Sequence, residues 1–244
     1  MDTRFWGPDG WTLIHSIAFG YPLHPTKKHR DNYSIFINSL SHILPCIYCR
    51  RSFHQYLGEL PIQTKLENGK FPLDNRDNLF LWIFLIHNKV NQKLRSQKLI
   101  IDTDPPYKDV YMNYQNSSCS FNRCDNLGWN FINSVGYNYP INSTDCTLKQ
   151  YIGIIIFFEY LPKVIPYTKI SKLLKKYYKK HPIYNNIQNR DTLMEWIYNM
   201  RKFICKRFNK ECPCFTKICN KLQYHKSGCN GTNDAKPTCR GIQS

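Results

Sequence analysis

Two cysteines sit two residues apart in Leu44-Pro45-Cys46-Ile47-Tyr48-Cys49. Such a pair either exchanges disulfides with other thiols or supplies half of a zinc site, and the bare spacing leaves both open. Pro45 has a fixed φ and no N–H, so it suits a first helical turn and pushes Leu44 out of helical geometry. A helix starting at the cysteines puts Cys46 at its N-terminus. There the macrodipole favours a thiolate by about 0.3–1 kcal/mol, or ~2 in a partly buried setting. The upper figure is on the order of one pKa unit. One acidified thiol beside a second is what dithiol–disulfide exchange requires.

The elements that must position this pair read as helices. Pro8 can open the first, with Trp11, Ile14, His15 and Ala18 on one face and Gly20 and Pro22 ending it. Tyr33, Phe36, Ile37, Leu40 and Ile43 recur at helical spacing, giving a second helix over about 30–44. The third spans about 46–57, and the Gly- and Pro-rich stretch 58–75 reads as a loop. A fourth, about 76–95, carries Leu79, Trp82, Ile83, Ile86, Val90 and Leu94 on a stripe edged by His87, Asn88 and Asn91. Helices of this length with short connections pack as an antiparallel bundle.

Four motifs now stand in order: Trp-Gly-Pro-x-x-Trp-x-x-x-His (6–15), Tyr-Pro-x-x-Pro-Thr (21–26), Pro-Cys-x-x-Cys (45–49) and Trp-x₄-His-Asn-x-Val-Asn-x-x-Leu (82–94). Over about residues 5–100 the chain resembles the Erv/ALR family of FAD-linked sulfhydryl oxidases. The resemblance implies Cys46 and Cys49 as the catalytic pair, Cys46 as the interchange thiol and Cys49 as the thiol against the flavin. It further implies FAD held by Gly7, Trp11, His15, Cys49, Trp82, His87, Asn88, Val90 and Asn91, and no metal. Protein dithiols would be the substrates and O₂ the final acceptor. The residue types agree with this, since a planar ring system calls for aromatic and imidazole walls and a polar cofactor for amide side chains. One position departs. Where cellular members carry a cysteine that opens a structural disulfide, this chain has Ile101.

The chain also resembles itself. Gly128 to Pro140 matches Gly10 to Pro22, and Asn189 to Ile197 matches Asn75 to Ile83, with Pro166 answering Pro45. Two matches in order point to a duplication. The copy lacks the chemistry: Asn133 replaces His15, Tyr167 and Ile170 replace the cysteines, and Arg201, Lys202 and Cys205 replace His87, Asn88 and Asn91. The expected architecture is all-α: an Erv-type four- or five-helix bundle over 1–112, a second, degenerate helical bundle over 113–208, and a Cys-rich flexible tail over 209–244. The copy is expected to bind no flavin and to cover a bundle face as an intramolecular pseudo-dimer, with a further homodimer left open.

Eleven cysteines include Cys212-Pro213-Cys214 in the tail and Cys119 and Cys124 between the bundles. In the family, a second dithiol often shuttles electrons from substrates. Cys212/Cys214 suits that role, because a CxC disulfide is strained and exchange-prone; Cys119/Cys124 is the rival. A tail zinc knuckle with His225 fits no standard spacing. The net charge of +17 is spread along the chain. Its densest run, Lys172 to Lys180, reads as the solvated face of an amphipathic helix, so nucleic acid is not the expected partner. A non-enzymatic zinc- or nucleic-acid-binding module is the competing reading. The longest apolar run, Tyr151 to Phe158, is far short of a membrane span of ~20 residues. With no apolar leader at the N-terminus, the expected location is cytoplasmic, in a host cytoplasm or virion if the chain is viral.

Overall fold

The computed structural model describes residues 1–117 and 127–226, and the long elements there are α-helices. In chain order these are α1 (Thr3–Phe19), α2 (Lys27–Ile43), α3 (Ile47–Glu59), α4 (Arg76–Ser96), α5 (Tyr107–Ser117), α6 (Trp129–Tyr137), α7 (Leu148–Val164), α8 (Thr168–Lys180), α9 (Arg190–Arg207) and α10 (Phe215–Tyr224). Short 3₁₀ turns precede α4, α7 and α9. None of these helices is long and apolar enough to cross a membrane.

Capping sets the boundaries where the apolar pattern does not. α1 starts at Thr3 rather than Pro8, because the Asp2 side chain accepts a bond from the Arg4 N–H at 2.9 Å; Pro8 lies inside the helix. α2 starts earlier than its stripe because Thr26 and His29 close a reciprocal capping box. α3 has Cys46 as its N-cap.

The second half repeats the hydrogen bonds of the first. Arg76 Nε donates to the Tyr21 carbonyl at 2.9 Å, and Arg190 Nε to the Tyr139 carbonyl at 2.9 Å. Trp82 Nε1 reaches the Leu60 carbonyl at 3.1 Å, and Trp196 Nε1 the His181 carbonyl at 2.8 Å. The Tyr21 and Tyr139 hydroxyls donate to the carbonyls of Leu73 and Ile187. Thr147 closes the same capping box at the start of α7 that Thr26 closes at α2. Buried polar bonds of this kind are specific to one packing, so their recurrence marks α6–α9 as arranged like α1–α4.

The two bundles share one core. α1 packs on α6 and α2 on α7, each against its own counterpart. Phe36 stacks on Phe157 with ring centroids 5.4 Å apart, and Trp6 tilts on Phe131 at 5.7 Å. The approach is close enough to demand glycine. Gly128 has φ +66°, and a Cβ there would stand 2.8 Å from the Asp9 carbonyl oxygen.

The segment after 209 differs from the expected flexible tail. α10 spans ten residues and buries Ile218 and Leu222. Phe215 packs on Tyr198 at 5.1 Å much as Tyr107 of α5 packs on Phe84 at 5.4 Å. At its far end, the Asp2 N–H donates to the His225 carbonyl at 3.0 Å and Phe5 stacks on the His225 ring at 4.1 Å. The described part of the tail is thus the fifth helix of the second bundle. Its apolar positions, Phe215, Ile218 and Leu222, are too few to stand out among lysines and cysteines, and packing rather than propensity holds so short a helix.

A continuous core predicts joint unfolding. Phe157→Ala should destabilise the whole chain by about 3–5 kcal/mol. Urea denaturation followed by tryptophan fluorescence and by circular dichroism should show one coincident, shifted transition. Two separate transitions would mean that the bundles fold independently.

Candidate active site

A cavity of about 560 Å³ opens between α1, α3, the C-terminal half of α4, the 99–105 segment and α5. That volume suits a small-molecule ligand, for which about 300–1,000 Å³ is usual. Trp11 and His15 enter one turn apart from α1, Cys49 and Ser52 from α3, and His87, Asn88, Val90 and Asn91 from α4; Gly7 lies at the rim. A wider cleft of about 1130 Å³ lies between the bundles beside Arg76, Lys169 and Lys172, but it holds neither thiol nor imidazole.

Two imidazoles meet in the cavity. His15 Nε2 and His87 Nδ1 share a hydrogen bond at 3.0 Å, and Trp11 stacks on His87 at 3.9 Å. Burial lowers His15 to about 3, helped by His87, and lowers His87 to about 4 against the opposing pull of Asp104. Both imidazoles are therefore uncharged at neutral pH. His15 Nδ1 and Trp6 Nε1, on two lining residues, are buried without a hydrogen-bond partner. Such groups cost about 1–3 kcal/mol each unless something completes them.

Segment 99–105 is fastened to α4 by charge. Asp104 takes a two-pronged ion pair from Arg95, at 2.9 and 2.6 Å, and accepts a bond from the Asn91 amide at 2.8 Å. The Arg95 hydrogen bonds hold the Asp104 carboxyl below its ordinary range. Ile101, in the same stretch, is 91% exposed and adds no packing, so the ion pair does the fastening. Lys93 is buried in the cavity wall with Nζ 2.7 Å from Ser52 Oγ.

At the dithiol, Cys49 lines the cavity while Cys46 is 1% exposed and does not line it. Arg50 folds back over the first turn of α3, its Nη1 donating to the Leu44 carbonyl at 2.7 Å. Burial lowers the guanidinium's pKa, and the nearby thiols Cys46 and Cys49 act in the opposite sense.

Of the sequence-predicted cofactor residues, Gly7, Trp11, His15, Cys49, His87, Asn88, Val90 and Asn91 line one cavity and Trp82 does not. Its indole is fully buried and tied to the Leu60 carbonyl, a structural role repeated by Trp196. Lys93, Ser52, Arg50 and Tyr114 were missed. A lysine three residues beyond Val90 on an apolar stripe was the available signal for Lys93. In the second bundle Arg201 stands where His87 would be, its guanidinium 5.0 Å from the Trp129 ring, as His87 stacks on Trp11. Of the shuttle candidates, Cys214 is exposed at the N-cap of α10 and Cys212 is half-buried beside it; Cys119 and Cys124 lie outside the described residues. Among the described residues no cluster of three or more His, Cys, Asp or Glu could hold a metal ion.

The sequence profile of the Erv1/Alr family matches residues 8–111. The mitochondrial FAD-linked sulfhydryl oxidase of Saccharomyces cerevisiae is 37% identical over 97 residues, 40% of this chain and 47% of that protein. A protein of Acanthamoeba polyphaga mimivirus, provisionally named an FAD-linked sulfhydryl oxidase, is 37% identical over 91 residues, 37% of this chain and 59% of its own length. The match with these two therefore spans only about half of each relative. A protein of Invertebrate iridescent virus 6, with the same provisional name, is 30% identical over 95 residues, 38% of this chain and 83% of its own length.

The two imidazoles make stability pH-dependent. The unfolded chain protonates them near 6.5, the folded chain only near 3 and 4, so below 6.5 the unfolded state binds more protons. Stability should be present above that value and lost as the pH falls towards 4. Urea titrations of the ligand-free chain should show this slope, and His87→Gln should flatten it. An unchanged slope in the variant would contradict the buried neutral pair.

Proposed function

The chain belongs to the Erv1/Alr family, and from that premise we propose that it is an FAD-dependent thiol oxidase that makes disulfides in protein substrates at the expense of O₂. The observation that carries this reading is the meeting of Cys49 and the neutral His15–His87 pair in one cavity whose imidazole Nδ1 has no partner in the protein. The residues suit a flavin. Trp11 and His87 offer a flat apolar wall, the orphaned His15 and Trp6 nitrogens await polar partners, and Lys93 offers a cation for a phosphate. Neutral imidazoles can hold a ring edge without placing a fixed charge beside it.

The chain's own chemistry is dithiol exchange. A substrate thiolate attacks Cys46 Sγ of the Cys46–Cys49 disulfide, and Cys49 departs as thiolate. The second substrate thiolate then displaces Cys46. The substrate leaves as a disulfide, its two protons go to solvent, and two electrons remain on Cys46 and Cys49. Held by Trp11, His15, His87, Asn88 and Asn91, a flavin would supply the two-electron acceptor for the Cys49 thiolate and the link from it to O₂. Arg50, beside both thiols, favours their thiolate forms. The Arg95–Asp104 pair keeps the 99–105 segment over the cavity and water out of it. Protein substrates reach Cys46 through a second dithiol, for which Cys212/Cys214, with Cys214 exposed, is the candidate.

Cys46→Ser and Cys49→Ser should each reduce oxygen uptake with dithiothreitol to background, while purified protein keeps its flavin spectrum. Normal turnover in either variant would refute the oxidase assignment.

A further inference from the structure

The contact between bundles is made twice, once in each direction, and the two versions differ. After α1 the chain places Gly20 against Pro166, so tightly that a Cβ on Gly20 would lie 2.4 Å from the proline Cβ. After α6 the counterpart of Gly20 is Asn138, and the counterpart of Pro166 is Pro45, the residue before Cys46. Here the neighbour is not a bare backbone but a side-chain amide. With its nitrogen towards the carbonyl and its oxygen towards the guanidinium, the orientation that satisfies both, Asn138 donates to the Pro45 carbonyl at 3.2 Å and accepts from Arg50 Nη1 at 3.1 Å.

Arg50 is the residue after Cys49 and one helical turn after Cys46. Its backbone N–H donates to the Cys46 carbonyl at 2.9 Å, and its Nη1 donates to Leu44 at 2.7 Å. A guanidinium on a flexible stem has many rotamers, and each acceptor in a fixed place removes some. Leu44 supplies one acceptor from within the first bundle; Asn138 supplies the other from across the interface. We infer that Asn138 is a positioning residue for the Cys46–Cys49 pair: it fixes Arg50 over the start of α3 and so holds a cation beside the thiols. The second bundle, which has lost its own chemistry, completes the site of the first. Two copies of the first bundle paired in the same way would present Gly20 at this point and could not make the bond.

The inference rests on Cys46 and Cys49 being the working dithiol, and its test avoids the oxidase reaction. The reduced full chain is alkylated with iodoacetamide over a range of pH, with labelling of Cys46 and Cys49 read by peptide mass spectrometry. Asn138→Gly should raise the pH midpoint by about half a unit, or slow labelling about threefold at a fixed pH below it. Asn138→Ala, which removes the amide and adds no charge, should raise it by a similar amount, and decides the matter if the glycine variant does not fold. Arg50→Gln should raise the midpoint too, and adding Asn138→Gly to it should change nothing more. An unmoved midpoint in the Asn138 variants, or an equal shift without Arg50, would overturn the inference. Neither flavin nor oxygen takes part in the labelling. A shifted midpoint in a chain that consumes no oxygen would therefore refute the oxidase reading while sustaining this one.

Discussion

Phe36 stacks on Phe157 where α2 meets α7, and each ring is the other's counterpart in the repeat. That contact constrains the rest. α1 and α2 carry apolar residues on more than one face, and the face not used within the first bundle is buried by α6 and α7. A bundle of about 110 residues alone buries a smaller fraction of its surface than a chain twice as long. Sharing a core removes an exposed apolar patch and fixes the outer face of α1, which carries Trp11 and His15.

This division explains what the second bundle keeps and what it loses. It keeps the residues whose loss would leave cavities or unpaired buried groups: Trp196, Tyr139, Arg190 and the Thr147 cap. Of the residues that face the cavity in the first bundle it keeps Trp129 for Trp11, and it has Asn133, Ile170, Arg201, Lys202 and Cys205 in place of His15, Cys49, His87, Asn88 and Asn91. At one position the physics of the exchange is plain. Arg201 over Trp129 fills by a cation–π contact the place where His87 over Trp11 makes part of a wall. Asn138, in the second bundle, reaches across to the Pro45 carbonyl and the Arg50 guanidinium of the first.

Much of this was legible in the sequence because it lay in local patterns. The stripe from Leu79 to Val90 and the Pro-Cys-x-x-Cys start of α3 specify their elements through helical periodicity and the backbone restrictions of proline. The repeat was legible because Trp and Arg are held by side-chain bonds to carbonyls that few other residues can make, and Pro by its fixed φ. Other features depend on partners distant in the chain. Trp82 falls on the same stripe as His87, and only the Leu60 carbonyl decides that it is core. α10 exists because α6 and Phe5 receive it. Arg50 next to a cysteine looks like any surface cation until Leu44 and Asn138 are seen to hold it.

The chain holds two bundles of one architecture, and the thiol and both imidazoles of the proposed site lie in the first. The number of working sites is read from the ratio of FAD to protein in the purified chain, by flavin absorbance after denaturation against quantitative amino-acid analysis. One FAD per chain is the expected result. Two would show that the second bundle has kept a cofactor site despite Arg201 and Asn133, and none, even after incubation with excess FAD, would contradict the assignment of the first.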